Sequence, residues 1–250
     1  MIQNISIGAV SYLNTKPMIT APNGAAQAFA HLPATLELDY PASIANKLLA
    51  GSIQVGLVPI VIVPLLAQAH IITQYGIACT GAVASVALYS NVPITQVTHI
   101  LLDYQSRTSV LLLQVLCKEY WGIKVKYITS QPGYEAHISG STAALVIGDR
   151  AFAQKKINTY EYDLGEAWLQ HTGLPFVFAA WVSNVALPKE WIKQFETQLQ
   201  LNIAHYFAHI NALNLLPYEV DYLTQNIQYQ LTAKHVQGMH LFLEKIKSIP

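Results

Sequence analysis

The stretch His99-Ile100-Leu101-Leu102-Asp103-Tyr104-Gln105-Ser106-Arg107-Thr108-Ser109-Val110-Leu111-Leu112-Leu113-Gln114-Val115-Leu116-Cys117-Lys118-Glu119-Tyr120 decides the fold class. Its opening apolar run is too short for a helix and ends at an aspartate, so His99 to Asp103 reads as a strand. Tyr104 to Thr108 is a polar turn. Ser109 to Tyr120 is a strongly apolar helix. A strand feeding a helix through a short polar turn is the building unit of α/β proteins, whose mostly parallel strands are covered by helices.

Working outward, the same alternation recurs. Ile5 to Val10 predicts a first strand, Ser11 to Lys16 a polar turn, and Pro17 a helix start, where its missing N–H costs nothing. Leu36 to Tyr40 and Gln54 to Val58 predict strands, separated by a helix from Pro41 to Gly51 that carries Ile44, Leu48 and Leu49 on one face. Val83 to Tyr89, Val125 to Thr129, Ala143 to Ile147 and Phe176 to Val182 complete the predicted strands, with a short helix over Tyr162 to His171. From Pro188 onward three helical patterns run with no strand between them. Trp191, Phe195, Leu199 and Ile203 recur there at helical spacing, the pattern of a core face.

No repeat, low-complexity tract or Gly/Ser linker divides the 250 residues. Two lobes must then be joined by strands crossing between them, with Tyr89 to Val92 and Val182 to Ala186 as the expected crossings. That predicts one discontinuous lobe from 1–90 plus 183–250 and a second from 91–182. It is the layout of two-lobed solute-binding proteins, which close on a ligand by hinge motion. The expected site is a cleft that captures a small carboxylate-bearing molecule.

Composition narrows the partners. Hydrophobic residues make up 52% of the chain and charged residues 11%, against roughly 25% charged in an ordinary globular protein. Fourteen basic residues balance fourteen acidic ones, so the basic footprint of nucleic-acid binding is missing. No electrostatically held membrane surface is expected either. Ile53 to Ile72 is apolar, but Gly56, Pro59, Pro64, Gln68 and His70 interrupt it short of the ~20 residues of a membrane span. It reads as a buried strand followed by a short helix. Cys79 and Cys117 show no metal-like spacing and are expected to be reduced and buried. Met1 to Ile7 lacks a leader's basic region and long apolar run, predicting a cytoplasmic protein.

The chemistry-bearing residues lie in the turns. The chain has two arginines, Arg107 and Arg150, and both follow predicted strand ends. Ser106-Arg107-Thr108-Ser109 precedes an apolar helix, so free N–H groups, hydroxyls and a guanidinium meet where the helix dipole favours an anion. The plain alternative is a Ser or Thr cap beside a solvated arginine. Tyr12-Leu13-Asn14-Thr15-Lys16-Pro17 forms a second such turn, outside the carboxyl end of a strand where open α/β sheets bind ligands. Asn14 and Thr15 can both donate and accept hydrogen bonds; an ordinary capped turn is the alternative. Asp149 after Gly148 is open between general base, hinge residue and helix cap. His205 and His209 have the spacing of a zinc pair, but no glutamate follows His205 and no third ligand appears, so no metal site is expected.

Taken in order, seven segments resemble one family. They are Val10 to Pro17, Gly56-Leu57-Val58-Pro59, Gly81-Ala82-Val83-Ala84-Ser85-Val86, Asp103 to Ser109, and Val146-Ile147-Gly148-Asp149. The last two are Tyr162-Asp163-Leu164-Gly165-Glu166-Ala167-Trp168 and Thr172 to Trp181. The set resembles the chorismate dehydratases of the futalosine route to menaquinone, over Ile5 to about Trp181; the helical tail is similar only in character. One departure is Gln54, where the family usually has an acidic residue. The resemblance implies a two-lobed α/β fold of the periplasmic-binding-protein-like type II class with a helical C-terminal segment. It implies removal of water from chorismate to give 3-[(1-carboxyvinyl)oxy]benzoate, a lyase reaction that needs no cofactor because the ring gains aromaticity. It further implies Asn14 and Ser85 around the reacting atoms, where the plain alternative for Ser85 is a strand hydroxyl bonded to backbone; Asp149, from its place after Gly148, is the third catalytic candidate. Tyr12, Thr15, Ser106, Arg107, Thr108 and Ser109 are then expected to bind substrate. The proton acceptor stays open between Asp149 and the substrate's own enolpyruvyl carboxylate.

Two rival functions share this fold: a small-carboxylate binding protein without catalysis, and the sister 1,4-dihydroxy-6-naphthoate synthase. The sister's first turn typically reads Pro-Asn-Asp-Thr, unlike Tyr12-Leu13-Asn14-Thr15. A monomer or homodimer is expected.

Overall fold

The computed structural model describes residues 4–21, 24 and 28–249. Met1, Ile2 and Gln3, on which part of the expectation about a leader rests, lie outside the described residues. In chain order the strands and helices are β1 (Ile5–Val10), α1 (Lys16–Ile19), β2 (Ala34–Asp39), α2 (Pro41–Leu49), β3 (Val55–Pro59), β4 (His70–Cys79), β5 (Val86–Ser90) and β6 (His99–Leu102). They continue with α3 (Thr108–Glu119), β7 (Lys126–Thr129), β8 (Thr142–Ile147), α4 (Arg150–Gln154), β9 (Tyr160–Asp163), α5 (Leu164–Thr172) and β10 (Phe176–Ser183). The tail holds α6 (Lys189–Ala208), α7 (Pro217–Asp221), β11 (Gln228–Gln230) and α8 (Ala233–Lys245).

The chain divides into two compact units: Met1–Ile77 with Phe178–Leu231, and Ala78–Val177 with Thr232–Pro250. The described residues form two sheets, one of six strands in the order β11-β4-β10-β3-β1-β2 and one of five in the order β7-β6-β8-β5-β9. These boundaries differ from the expected 1–90 plus 183–250 and 91–182. β5, expected in the first lobe, pairs with β8 and β9 in the second sheet. The chain therefore passes from one unit to the other inside β4, inside β10 and again after Leu231, not after β5. The last helix also changes side: α8 joins the second unit because Phe242 packs 5.8 Å from Trp168 and 4.9 Å from Phe176, ring centroid to centroid. Aromatic burial on that scale outweighs chain proximity.

The sheets are mixed rather than mostly parallel. β1 runs parallel to β2 and β3, and β6 parallel to β7 and β8. β10 is antiparallel to β3, and β5 is antiparallel to both β8 and β9. Three strands, β4, β9 and β11, have no counterpart among the expected elements, and β11 breaks the expected strand-free tail. The expected short helix after β3 is a 3-10 turn over Ile60–Leu65.

In the first unit α2 lies close on β1: a Cβ at Gly8 would sit 2.6 Å from Ile53 Cδ1 and 3.1 Å from Ile44. The aromatic stripe of α6 is core, as expected. Trp191, Phe195 and Leu199 are fully buried, and Phe195 meets Trp181 edge-on at 5.1 Å. Ile203 is half-buried. Asn202 of the same helix donates to the carbonyls of Met18 (2.9 Å) and Ala28 (3.2 Å), fixing α1 on α6. Gln54 sits at the amino end of β3, where its side-chain oxygen accepts the Ser6 N–H at 2.8 Å. This is the opposite end of the sheet from the Tyr12–Lys16 turn. Among the described residues no helix is long and apolar enough to cross a membrane. Cys79 and Cys117 are free and buried, and burial pushes the Cys117 thiol up to about 12.

Candidate functional site

In the first unit the turn after β1 carries Tyr12, Asn14 and Thr15. Leu13–Thr15 is one 3-10 turn, closed by the Thr15 N–H on the Tyr12 carbonyl at 3.1 Å. Pro17 is the second residue of α1, whose four residues are too few to build a helix dipole of consequence. Thr15 is fully buried and its hydroxyl donates to Asn14 Oδ1 at 3.4 Å. The Asn14 amide N–H donates to Tyr222 Oη at 2.9 Å. Tyr222 is a tail residue, 1% exposed, at the head of a π-helical turn over Tyr222–Asn226. The Ile227 N–H reaches the Tyr222 carbonyl five residues back, at 3.2 Å. Insertions of this kind recur at functional sites. No sequence spacing links positions 14 and 222.

In the second unit the carboxyl ends of β6, β8 and β9 and the amino end of β5 share one edge of the sheet, as the registers require. That edge brings together Ser85, Ser106 to Ser109 and Asp149. The Gly148 N–H donates to the Ser85 carbonyl at 2.8 Å, so Ser85 sits beside the Gly148-Asp149 turn. Ser85 is 1% exposed. Asp149 precedes α4, is exposed, and makes no side-chain bond to that helix's amides. The helix-cap alternative for Asp149 is thereby corrected: α4 spans only Arg150–Gln154.

The head of α3 is built differently. The Ser106 hydroxyl accepts the Ser109 N–H at 3.1 Å, which caps one amide of the twelve-residue helix. Arg107 is the residue before the helix and is half-buried. Thr108 and Ser109 are each 3% exposed, and the Thr108 hydroxyl has no hydrogen-bond partner among the described residues. Leaving a buried hydroxyl unpaired costs about 1–3 kcal/mol, so a group that accepts or donates there is favoured.

Beneath this turn lies Asp103, which the sequence presents only as a strand end. Its carboxylate accepts the Gln105 N–H (2.8 Å), the Ile147 N–H (3.0 Å), the Tyr134 hydroxyl (2.7 Å) and Arg150 Nη2 (2.7 Å). Arg150 also reaches Glu135 at 2.6 Å and Gln105 Oε1 at 3.0 Å. Burial disfavours the charged guanidinium, but Asp103 and Glu135 outweigh it and hold the Arg150 pKa above its ordinary value. Burial, then Asp103, pushes the Tyr134 phenol up as well. Arg150 is thus committed to structure, locking the turn after β6 to the turn after β8.

His205 and His209 stack with ring centroids 4.3 Å apart, and His209 Nδ1 lies 2.9 Å from the His205 carbonyl. Among the described residues no group of three or more His, Cys, Asp or Glu side chains is arranged to hold a metal ion.

Known structures share this architecture. A protein of Archaeoglobus fulgidus superposes with a TM-score of 0.74 at 13% identity, covering 98% of this chain and 97% of its own. A Candida albicans protein described as having the generic periplasmic binding protein fold superposes with a TM-score of 0.67 at 10% identity, over 99% and 91%. The alkanesulfonate-binding protein of Xanthomonas axonopodis, bound to MOPS, gives 0.64 at 15% identity, over 100% and 95%. The fold is therefore that of the periplasmic-binding-protein class, carrying polar turns at the carboxyl ends of its strands.

Within that class the sequence is more specific. Residues 5–248 match the model of a menaquinone biosynthesis family, and the chain belongs to it. The chorismate dehydratase of Thermus thermophilus is 30% identical over 199 residues, 70% of this chain and 73% of that protein.

Proposed function

We propose that this chain is a cytoplasmic chorismate dehydratase, a hydro-lyase that removes water from chorismate to give 3-[(1-carboxyvinyl)oxy]benzoate without a cofactor. The observation that carries the reading, in a chain of this family, is the head of α3. A buried hydroxyl with no partner among the described residues, Thr108, stands beside Arg107 at the start of a twelve-residue helix. One substrate carboxylate is bound there by Arg107, by the Ser106, Thr108 and Ser109 hydroxyls, and by helix N–H groups. Tyr12 and Thr15 contribute further substrate contacts.

In the reaction the ring loses a proton and a hydroxyl and becomes aromatic, which supplies the driving force. Asn14 and Ser85 hydrogen-bond the departing hydroxyl and orient the ring. Neither is a base at neutral pH without an activating partner. The proton goes to Asp149 or to the substrate's enolpyruvyl carboxylate. Full turnover in Asp149→Asn assigns it to the substrate; a loss of about 100-fold or more assigns it to Asp149.

Incubating the pure protein with chorismate tests the whole reading. Chorismate should disappear as benzoate absorbance grows. Binding without loss of chorismate makes the chain a binding protein, and turnover of the cyclic futalosine derivative alone makes it the sister synthase.

A further inference from the structure

The segment Tyr162-Asp163-Leu164-Gly165-Glu166 has no part in the proposed chemistry, yet it holds the loop that carries Ser85. Asp163 ends β9 and caps α5: its Oδ1 accepts the N–H groups of Gly165 (2.9 Å) and Glu166 (3.1 Å). The same carboxylate reaches 80 residues back along the chain, accepting the N–H of Val83 at 3.0 Å on Oδ1 and of Ala84 at 2.7 Å on Oδ2. One side chain thus serves two backbone segments. Burial pushes its pKa upward while the four N–H bonds pull it down, the carboxylate being their acceptor.

The loop so held is strained and tightly packed. Ala84 has φ of +60°, a left-handed conformation that costs a non-glycine residue about 1 kcal/mol or more. Such a conformation persists only where its surroundings impose it, and the Ala84 N–H is the group Asp163 grips most closely. The head of α5 also lies close against the loop at Gly165. A Cβ there would lie 2.6 Å from Cys79 Sγ, 2.6 Å from the Gly81 carbonyl oxygen and 3.2 Å from the Val83 nitrogen. Ser85 is the next residue after Ala84, with its own carbonyl tied to Gly148.

We infer that Asp163 is a positioning residue that sets the Ser85 hydroxyl for dehydration, by holding the Val83 and Ala84 amides in a strained loop. This rests on the proposed chorismate reaction for its kinetic consequence, but not for its structural one. Asp163→Asn replaces one acceptor oxygen by an N–H₂ donor, so it cannot keep both Ala84 and the α5 cap. Its kcat on chorismate should fall about 10- to 100-fold with KM within about 2-fold, the mark of a loss felt at the reacting atoms. In a Ser85→Ala background the same change should cost less than about 2-fold, because residues acting as a unit are not additive. Equal losses in both backgrounds would overturn the inference.

Gly165→Ala is the companion variant. It leaves the carboxylate intact and is the better helix former, yet pushes on Gly81 and Val83 directly. It should give the same Ser85-dependent loss, so the inference stays testable should Asp163→Asn fail to fold. Amide hydrogen exchange gives a readout independent of the substrate. Residues 82–86 should exchange at least about 10-fold faster in either variant than in the parent, with the β6–β8 core unchanged. Unchanged exchange in that segment sinks the inference even where chorismate is turned over. Faster exchange with no turnover by the parent chain upholds the clamp and sinks the chorismate reading instead.

Discussion

The turn after β1 and the turn after β6 occupy equivalent places, each just beyond the carboxyl end of a strand, yet they are built for different work. The first leads into a helix of four residues, too short for a useful dipole, and holds its amide side chain through Tyr222 from the far end of the chain. The second leads into a helix of twelve residues, carries Arg107, and rests on the buried carboxylate of Asp103. Strand-end position alone therefore does not define a role. The length of the helix beyond the turn decides whether the turn suits an anion, and the groups packed beneath it decide how firmly a polar side chain is aimed.

The largest effect is expected at the first turn. Asn14→Ala should lower kcat by about 100-fold or more while KM moves little, the range of a group that assists proton or hydroxyl transfer. A change confined to KM would make both turns binding turns and dissolve the contrast.

Arg150→Met tests the support of the second turn. It leaves Asp103 buried without its cation, and breaking a fully buried pair costs ~3–5 kcal/mol. Arg150 keeps 30% of its side chain exposed, so a loss of about 2–3 kcal/mol is expected, read as a fall of roughly 4–12 °C in Tm. Unchanged stability would mean that the Asp103 contacts with Tyr134, Ile147 and Gln105 suffice alone.

Arg107→Ala bears on the charge itself. Affinity for chorismate should weaken by ~1.5–3 kcal/mol, the scale of a charged hydrogen bond, or about 10- to 150-fold, with Tm little changed. The two arginines would then separate cleanly, one acting on stability and the other on binding. Unaltered affinity removes Arg107 from the site.

Much of this contrast is written in local pattern. The strand–turn–helix run from His99 to Tyr120 is legible because a short apolar run, a polar break and a helical period succeed one another. The stripe Trp191, Phe195, Leu199 is legible because a buried helix face repeats. Elements without such a signature stayed hidden. β9 is four half-buried residues with two tyrosines and two acids, and β11 is three residues at a sheet edge. β4 was masked by the apolar run before it. The expected unit boundary falls after β5 because β5 looks the same in either sheet, and α8 is expected in the first unit because nothing local shows that Phe242 packs on Trp168 and Phe176. Arg107 and Arg150 also look alike in sequence. Only the Asp103 network, assembled from the ends of β6 and β8 and a distant tyrosine, tells them apart.

Tyr222 is the feature no pattern reveals, since its significance is a contact across two hundred residues of chain. Tyr222→Phe removes the Oη that accepts from Asn14 while keeping the ring that fills the buried space. The half-buried amide can then turn to water, so the cost should be that of one neutral hydrogen bond, ~0.5–1.5 kcal/mol. If the bond serves to aim Asn14, that cost appears in kcat as a fall of roughly 3- to 10-fold with KM steady, and it vanishes in an Asn14→Ala background. A loss as deep as that of Asn14→Ala would make the phenol part of the chemistry rather than its support. No loss would mean that the Thr15 hydroxyl and the 3-10 turn aim the amide by themselves, and the first turn would then be as locally determined as the second is remotely braced.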